Sequence, residues 1–98
     1  MAGQSHQVSR EPVVRTVVRR FPFAEFAIRK HMNRSEAFCD MCEELAEAEL
    51  ALRKVSELPP EIREARRLEW QELVDRLVAE IAAALREGEA WQSRKASK

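Results

Sequence analysis

The chain contains few of the residues that let a polypeptide turn back on itself. Among its 98 residues there are two glycines, four prolines and no tyrosine. The tight turns of a multi-stranded sheet rely on glycine and proline, and strands favour aromatic residues such as tyrosine. Alanine, leucine, glutamate and arginine are prominent instead, and charged residues make up 35% of the chain. This composition predicts an all-α protein.

Long apolar runs are also missing. No stretch approaches the roughly 20 apolar residues that a membrane-spanning helix requires. The first segment, MAGQSHQVSREP, is polar where a signal peptide has its apolar core. We therefore expect a cytoplasmic protein with no membrane span, whose two cysteines are reduced thiols.

Charge is balanced in total but not along the chain. The 17 basic and 17 acidic residues cancel, so no net field draws the chain towards nucleic acid or membrane. Residues 1–34, however, carry seven Lys or Arg against two Glu, and residues 35–58 carry seven acids against two bases. The two segments can pair with each other, within one chain or between two.

The sequence predicts one helical domain with an irregular segment at each end. Residues 1–12 are polar, without periodicity, and are predicted to be a disordered arm. Residues 13–92 form the domain, and residues 93–98 a frayed basic tail. Val13–Phe21 stays open between a strand and a basic helical turn. A lone strand finds no partner within this chain, so a strand here would require pairing across a dimer.

Three helices are predicted inside the domain, at about residues 23–32, 35–56 and 60–88. In the first, Phe23 and Phe26 share one face with Lys30. Asn33 is a candidate N-cap for the second, and Gly88 a candidate C-terminal cap for the third.

The middle helix carries two apolar stripes. Residues spaced three and four apart form a seam for packing on another helix: Phe38, Met41, Leu45, Ala48, Leu52 and Val55. A second stripe lies well round from it: Cys39, Cys42, Ala46 and Leu50. A helix with two apolar faces needs two packing partners.

The last helix repeats the seam spacing and is joined to the middle helix by a short turn. Its seam consists of Trp70, Val74, Leu77, Ile81, Ala84, Gly88 and Trp91. The connection LPPE contains Pro59, which ends one helix, and Pro60, which suits the start of the next. So short a link predicts an antiparallel hairpin. Because two helices cannot cover both stripes, we expect the Phe23 helix to complete a three-helix unit and two chains to pair as a homodimeric bundle.

Three features of this region together resemble the core of short uncharacterised bacterial proteins that fold as helical hairpins. They are FPFAEFAIRK, the step from Phe38 to Cys42, and EELAEAELAL, and the likeness covers roughly residues 21–87. The resemblance implies the hairpin fold. It implies no catalytic residue that could be carried over to this chain.

The cysteine pair is a candidate for metal or redox chemistry. His31, Cys39 and Cys42 offer three ligands, whereas structural zinc is usually held by four. Cysteines at positions i and i+3 of a helix lie within disulfide range. Reactive pairs, however, sit at helix N-termini beside cations, and the neighbours Asp40 and Glu43 are acidic. Two small apolar residues on a packed helix face explain the spacing better.

The sequence therefore favours a non-enzymatic protein–protein interaction or adaptor module, without cofactor or catalytic residue. The first alternative is a nucleic-acid-associated protein that uses the basic N-terminal arm, and the second is a metal or redox protein that uses the cysteines. The candidate interaction residues are Arg15, Arg19, Arg20, Phe23, Phe26, Cys39, Cys42 and Leu50.

Overall fold

The fold consists of helices and their connections throughout the part of the chain that the structure describes. The computed structural model describes the backbone of residues 2–96 and the side chains of residues 10–87. Between residues 2 and 96 there is no strand, so the predicted all-α class is confirmed. The elements in chain order are α1 (Ala2–Arg20), α2 (Glu25–Arg34), α3 (Glu36–Arg53), a 3-10 helix (Val55–Glu57) and α4 (Pro60–Ala96).

Helix α1 is the largest departure from the sequence-based expectation. It spans Ala2–Arg20, and so covers the predicted disordered arm, apart from Met1, and all but the last residue of the segment left open between strand and helix. Met1 lies outside the described residues. Val14 and Val17, three residues apart, are buried in the core. A helix anchored by this face extends towards the N-terminus at little cost per residue, because only the first turn is expensive to form.

Pro12 lies inside α1 and explains why the sequence suggests a boundary there. A proline in a helix interior has no N–H to donate and crowds the preceding turn, at a cost of about 3 kcal/mol. Its carbonyl oxygen accepts a hydrogen bond from the Thr16 hydroxyl at 3.1 Å. Burial of Val14 and Val17 beyond the proline offsets the penalty, which local propensity alone does not reveal.

Helix α3 begins at a serine cap. The Ser35 side chain accepts a hydrogen bond from the backbone N–H of Phe38 at 3.1 Å, and the Ser35 backbone is extended. The predicted cap at Asn33 is wrong, because α2 continues to Arg34 and Asn33 lies in its last turn. The cap is therefore two residues further along the chain than the sequence suggests.

Replacing Ser35 with alanine should lower the free energy of unfolding by about 1 kcal/mol, because Phe38 loses its hydrogen-bond acceptor. Urea denaturation followed by circular dichroism measures this change. Ser56, exposed in the 3-10 helix, is the matched control, and Ser56→Ala should change stability by less than about 0.5 kcal/mol. Equal effects of the two substitutions would contradict the role of Ser35.

Helix α3 is central to the packing and contacts each of the other three α-helices. Phe38, Leu45 and Ala48 of its predicted seam are buried, and Val55 beyond its end is buried too. The largest helix–helix contact joins α3 to α4. Side chains from all four helices form one core cluster: Val14, Val17, Ile28, Met32, Phe38, Cys39, Cys42, Leu45, Ala48, Val74, Leu77, Ile81 and Leu85.

Helix α4 extends further than the sequence predicts. It ends at Ala96, so Gly88 lies inside the helix and is not a C-terminal cap. A glycine in a helix interior costs about 1 kcal/mol relative to alanine, and the strong helix formers around it allow the helix to continue. Residues 93–96 of the predicted tail are helical; the seam side chain of Trp91 and residues 97–98 lie outside the described residues.

Candidate interaction surface

Phe23 and Phe26 project into solvent at the corner between α1 and α2. Phe23 is fully exposed and Phe26 is 80% exposed. Helix α2 begins only at Glu25, so Phe23 belongs to the preceding turn and not to the helix predicted at 23–32. The buried side of α2 is formed by Ile28 and Met32. At 100° per residue, Phe26 lies on the opposite side of the helix from these two residues.

A lysine lies beside Phe26. The Lys30 ammonium lies 6.0 Å from the centre of the Phe26 ring, one helical turn away. Lys30 forms no ion pair within residues 10–87. We call the surface formed by Phe23, Phe26 and Lys30 the aromatic corner. It combines apolar area with a positive charge that is free to meet an acidic partner.

Arg29 beside the corner is already engaged within the chain. Its guanidinium donates hydrogen bonds to Glu11 of α1 at 2.8 and 3.2 Å and to Glu25 of its own helix at 3.1 Å. The hydrogen bond from Arg29 lowers the pKa of Glu11 and raises the pKa of Arg29 itself. These bonds hold α2 against α1, so Arg29 supports the position of the corner.

One ion pair joins the basic and acidic segments of the sequence. Arg20, the last residue of α1, donates to Glu49 of α3 at 2.6 Å, so the predicted pairing of the two segments occurs within the chain at this point. Arg15 and Arg19 are exposed, and Arg19 donates only to the Thr16 hydroxyl, at 3.5 Å, within residues 10–87. Two of the three arginines in the predicted interaction set are thus free of carboxylate partners in that range.

A row of carboxylates runs along the outer side of α3. Its members are exposed and form no ion pair within the part of the chain whose side chains are described. Leu50, 44% exposed, lies at the edge of this row on the helix surface. We call the row together with Leu50 the acidic stripe: Asp40, Glu43, Glu44, Glu47 and Leu50.

The cysteines lie in the chain's own core and do not face a separate partner. Cys42 is fully buried and Cys39 is 6% exposed. Helix α1 lies beside this face of α3, because Arg10 is close enough to Cys39 to influence its ionisation and Arg20 binds Glu49. Cys39 and Cys42, which the sequence places among the interaction residues, are therefore packed inside the chain and are not exposed at its surface. Helix α1 packs on α3 beside this stripe, whose fourth member, Leu50, remains 44% exposed.

Burial suppresses ionisation of both thiols. Loss of solvent raises the pKa of Cys42 from 9.0 to about 12, with smaller contributions from Cys39 and Glu43. The pKa of Cys39 is also raised, first by burial, although the positive charge of Arg10 acts in the opposite direction. The Cys39 sulfur lies 4.0 Å from a carboxylate oxygen of Glu43. A thiol in these surroundings is a poor nucleophile, because the thiolate is the reactive form.

Labelling by a thiol reagent at pH 8 should be slow at both cysteines in the folded protein and fast in denaturant. Cys39 should react before Cys42, because it retains some exposure and Cys42 has none. Mass spectrometry of Cys39→Ala and Cys42→Ala variants at successive times separates the two rates. Rapid labelling of Cys42 under native conditions would contradict the packing described above.

His31 packs on the Phe38 ring, with the ring centres 5.0 Å apart. Among the residues whose side chains are described, no three His, Cys, Asp or Glu groups converge so that they could hold a metal ion. The chain's other histidine, His6, lies outside that range. The structure therefore does not assemble His31, Cys39 and Cys42 into one metal site.

Comparisons with protein-family models, with curated proteins and with solved structures give no match to this chain. None of the helices described between residues 2 and 96 is both long enough and apolar enough to cross a membrane.

Some exposed apolar residues are absent from the predicted interaction set. Leu68 is 57% exposed and Ile62 is 38% exposed, both in the first turns of α4. Leu68 does not fall on the three-four spacing of Val74, Leu77 and Ile81, and this position off the apolar face of α4 indicates exposure from the sequence. The helical spacing places Lys30 on one face with Phe26, but does not show that this face is exposed.

Proposed function

We propose that this chain is a non-enzymatic, cytoplasmic protein–protein interaction module in which α3 and α4 form an antiparallel hairpin and two chains pair as a helical bundle. The observation that carries the proposal is the exposure of Phe23 and Phe26 on a fold whose core is already complete without them. Burying one phenylalanine side chain is worth about 1.5–3 kcal/mol, so two exposed at one corner represent a large unused driving force for association.

The hairpin is supported by the connection between the helices. Only Lys54–Pro59 separates α3 from α4, and this segment includes the 3-10 helix. Val55 in that turn is buried, and Arg63 of α4 donates to the Leu58 carbonyl at 2.8 Å. A short, packed turn between two helices in contact favours an antiparallel arrangement. The resemblance to bacterial helical-hairpin proteins points the same way.

Light scattering coupled to size-exclusion chromatography tests the pairing. At micromolar concentration we expect a particle of twice the chain mass of 11.3 kDa. The dimer should dissociate on dilution, because two phenylalanines per chain supply a modest interface. A monomer that persists throughout the micromolar range would overturn the proposed pairing.

Nucleic-acid binding is a second candidate, favoured by the exposed Arg15 and Arg19 on α1. These cations can contact phosphates, and the affinity of such contacts falls steeply as salt rises. Fluorescence anisotropy with a labelled oligonucleotide at low salt measures this binding. Arg15→Gln with Arg19→Gln should abolish it, whereas Arg66→Gln with Arg67→Gln, which removes equal charge from α4, should not. Equal loss from both double variants, or no binding by the unmodified chain, would remove this candidate.

A further inference from the structure

We propose that the aromatic corner of one chain docks on the acidic stripe of a second copy, with Phe23 and Phe26 packing beside Leu50 and Lys30 facing the carboxylates. This inference rests on the proposed function, because it specifies which surfaces the pairing uses. The occupant is a second copy, since one chain carries both halves of the contact.

Charge complementarity is the first argument. The acidic stripe holds four exposed carboxylates without a cation partner within residues 10–87, and the aromatic corner holds an unpaired ammonium. The chain's net charge is zero, but Lys30 belongs to the basic segment of the sequence and the four carboxylates belong to its acidic segment. Only the Arg20–Glu49 pair links the basic and acidic segments internally, in the described range. Docking between copies would place each Lys30 beside carboxylates that lack a cation partner.

The apolar parts of the two surfaces also correspond. Leu50 is the exposed leucine of α3, and it lies at the edge of the carboxylate row. A phenylalanine side chain buries about 150–250 Å², so the four rings of a symmetric dimer would bury on the order of 600–1,000 Å². A standard interface buries about 1,600 Å² in total, and Leu50 with the stems of the charged residues contributes to the remainder.

Symmetry makes the arrangement closed. The proposed pair has a two-fold axis, so the aromatic corner of each chain meets the acidic stripe of the other and the same contact forms twice. A closed pair satisfies both surfaces of each copy and leaves neither free to recruit a third. The expected assembly is accordingly a dimer and not a fibre.

The other exposed apolar residues fit this role less well. Ile62 and Leu68 lie on the first turns of α4, where two arginines are already paired within the helix. Arg66 contacts Glu69 at 2.9 Å, and Arg67 contacts Glu64 at 3.5 Å. Single exposed leucines of this kind are ordinary on protein surfaces.

Sedimentation velocity on substituted chains tests the assignment. Phe23→Ser with Phe26→Ser should raise the dimer dissociation constant at least about tenfold while circular dichroism remains unchanged, because neither side chain belongs to the core. Ile62→Ser with Leu68→Ser is the matched control and should leave dissociation unchanged. If the α4 variant dissociates and the phenylalanine variant does not, the interface lies on α4 and the assignment is overturned. A monomeric unmodified chain would instead overturn the proposed pairing itself.

Charge reversal then tests the partner surface. Lys30→Glu alone and Glu47→Lys alone should each weaken the dimer by about tenfold, since each places like charges opposite one another twice. An equimolar mixture of the two variants should form a heterodimer of nearly unmodified affinity, because both of its contacts then have opposite charges. Weakening without recovery in the mixture would show that the corner does not dock on this stripe.

Discussion

Leu45→Ala should lower the free energy of unfolding by about 2–5 kcal/mol. Leu45 is fully buried in the middle of α3 and belongs to the cluster that joins α3 with α1, α2 and α4. Removing its isobutyl group forfeits the transfer free energy and leaves a cavity that rigid helices on three sides cannot fill. For a small domain with a total stability of roughly 5–15 kcal/mol, this is a large fraction.

Leu68→Ala provides the control for Leu45→Ala. The chemical change is the same, but Leu68 is 57% exposed and lies outside the core cluster. Its substitution should change the free energy of unfolding by less than about 0.5 kcal/mol. Denaturant titrations at one protein concentration measure both variants, since pairing would make stability depend on concentration. Similar losses for the two variants would contradict the assigned core.

Raising the pH from about 9 to 12 should lower the free energy of unfolding by roughly 1.4 kcal/mol per pH unit, if the Cys42 thiol stays protonated in the folded chain. Cys42 has a pKa of about 12 in the folded chain, against an ordinary value of 9.0. Above pH 9 the thiol ionises in the unfolded chain but stays protonated in the core, so the unfolded state loses protons first. The stabilisation is therefore complete below pH 9 and is lost as the pH rises towards 12.

The Cys42→Ala variant isolates this effect. Its free energy of unfolding should fall less steeply with pH than that of the unmodified chain, because the titrating group is gone. Cys39→Ala should flatten the curve less, because the positive charge of Arg10 opposes the effect of burial on the pKa of Cys39. The absence of tyrosine helps the measurement, since no phenol titrates in the same range. If the free energy of unfolding of Cys42→Ala falls with pH as steeply as that of the unmodified chain, the Cys42 thiol is not buried as described.

Periodicity predicts the centre of this fold well. The three-four spacing on α3 and α4 identifies Leu45, Leu77 and Ile81, all of which are buried. It also predicts correctly that α3 has two covered faces. These features follow from sequence because a helix of known pitch places every third and fourth residue on one side, whatever the packing partner is.

The sequence cannot reveal which segment covers the second face. Local propensity favours a disordered arm ahead of Pro12, yet α1 runs through that proline because Val17 is buried beyond it. Because α1 packs beside the cysteines, Phe23 and Phe26 do not fill that position. Phe23 and Phe26 share a face with Lys30 on the helical spacing, but only the tertiary arrangement shows that this face is exposed.

The packing of α1 on α3 and the exposure of Phe23 and Phe26 change the role expected for these two aromatic residues. Had the Phe23 helix covered Cys42, Phe23 and Phe26 would have been core residues and their substitution would unfold the protein. Because α1 packs on this face instead, the Phe23 and Phe26 rings are exposed, and contact with another molecule would bury them. The proposed association and the folding of the chain therefore involve different residues, and substitutions can test one without disturbing the other.

Nuclear Overhauser effects between chains test most directly the claim that the aromatic corner meets a second copy. A sample mixed from isotope-labelled and unlabelled chains reports only contacts that cross from one chain to the other. We expect cross-peaks between the ring protons of Phe23 and Phe26 in one chain and the methyl groups of Leu50 in its partner. Intermolecular cross-peaks to the methyl groups of Ile62 or Leu68 instead, or no intermolecular cross-peaks at millimolar concentration, would contradict it.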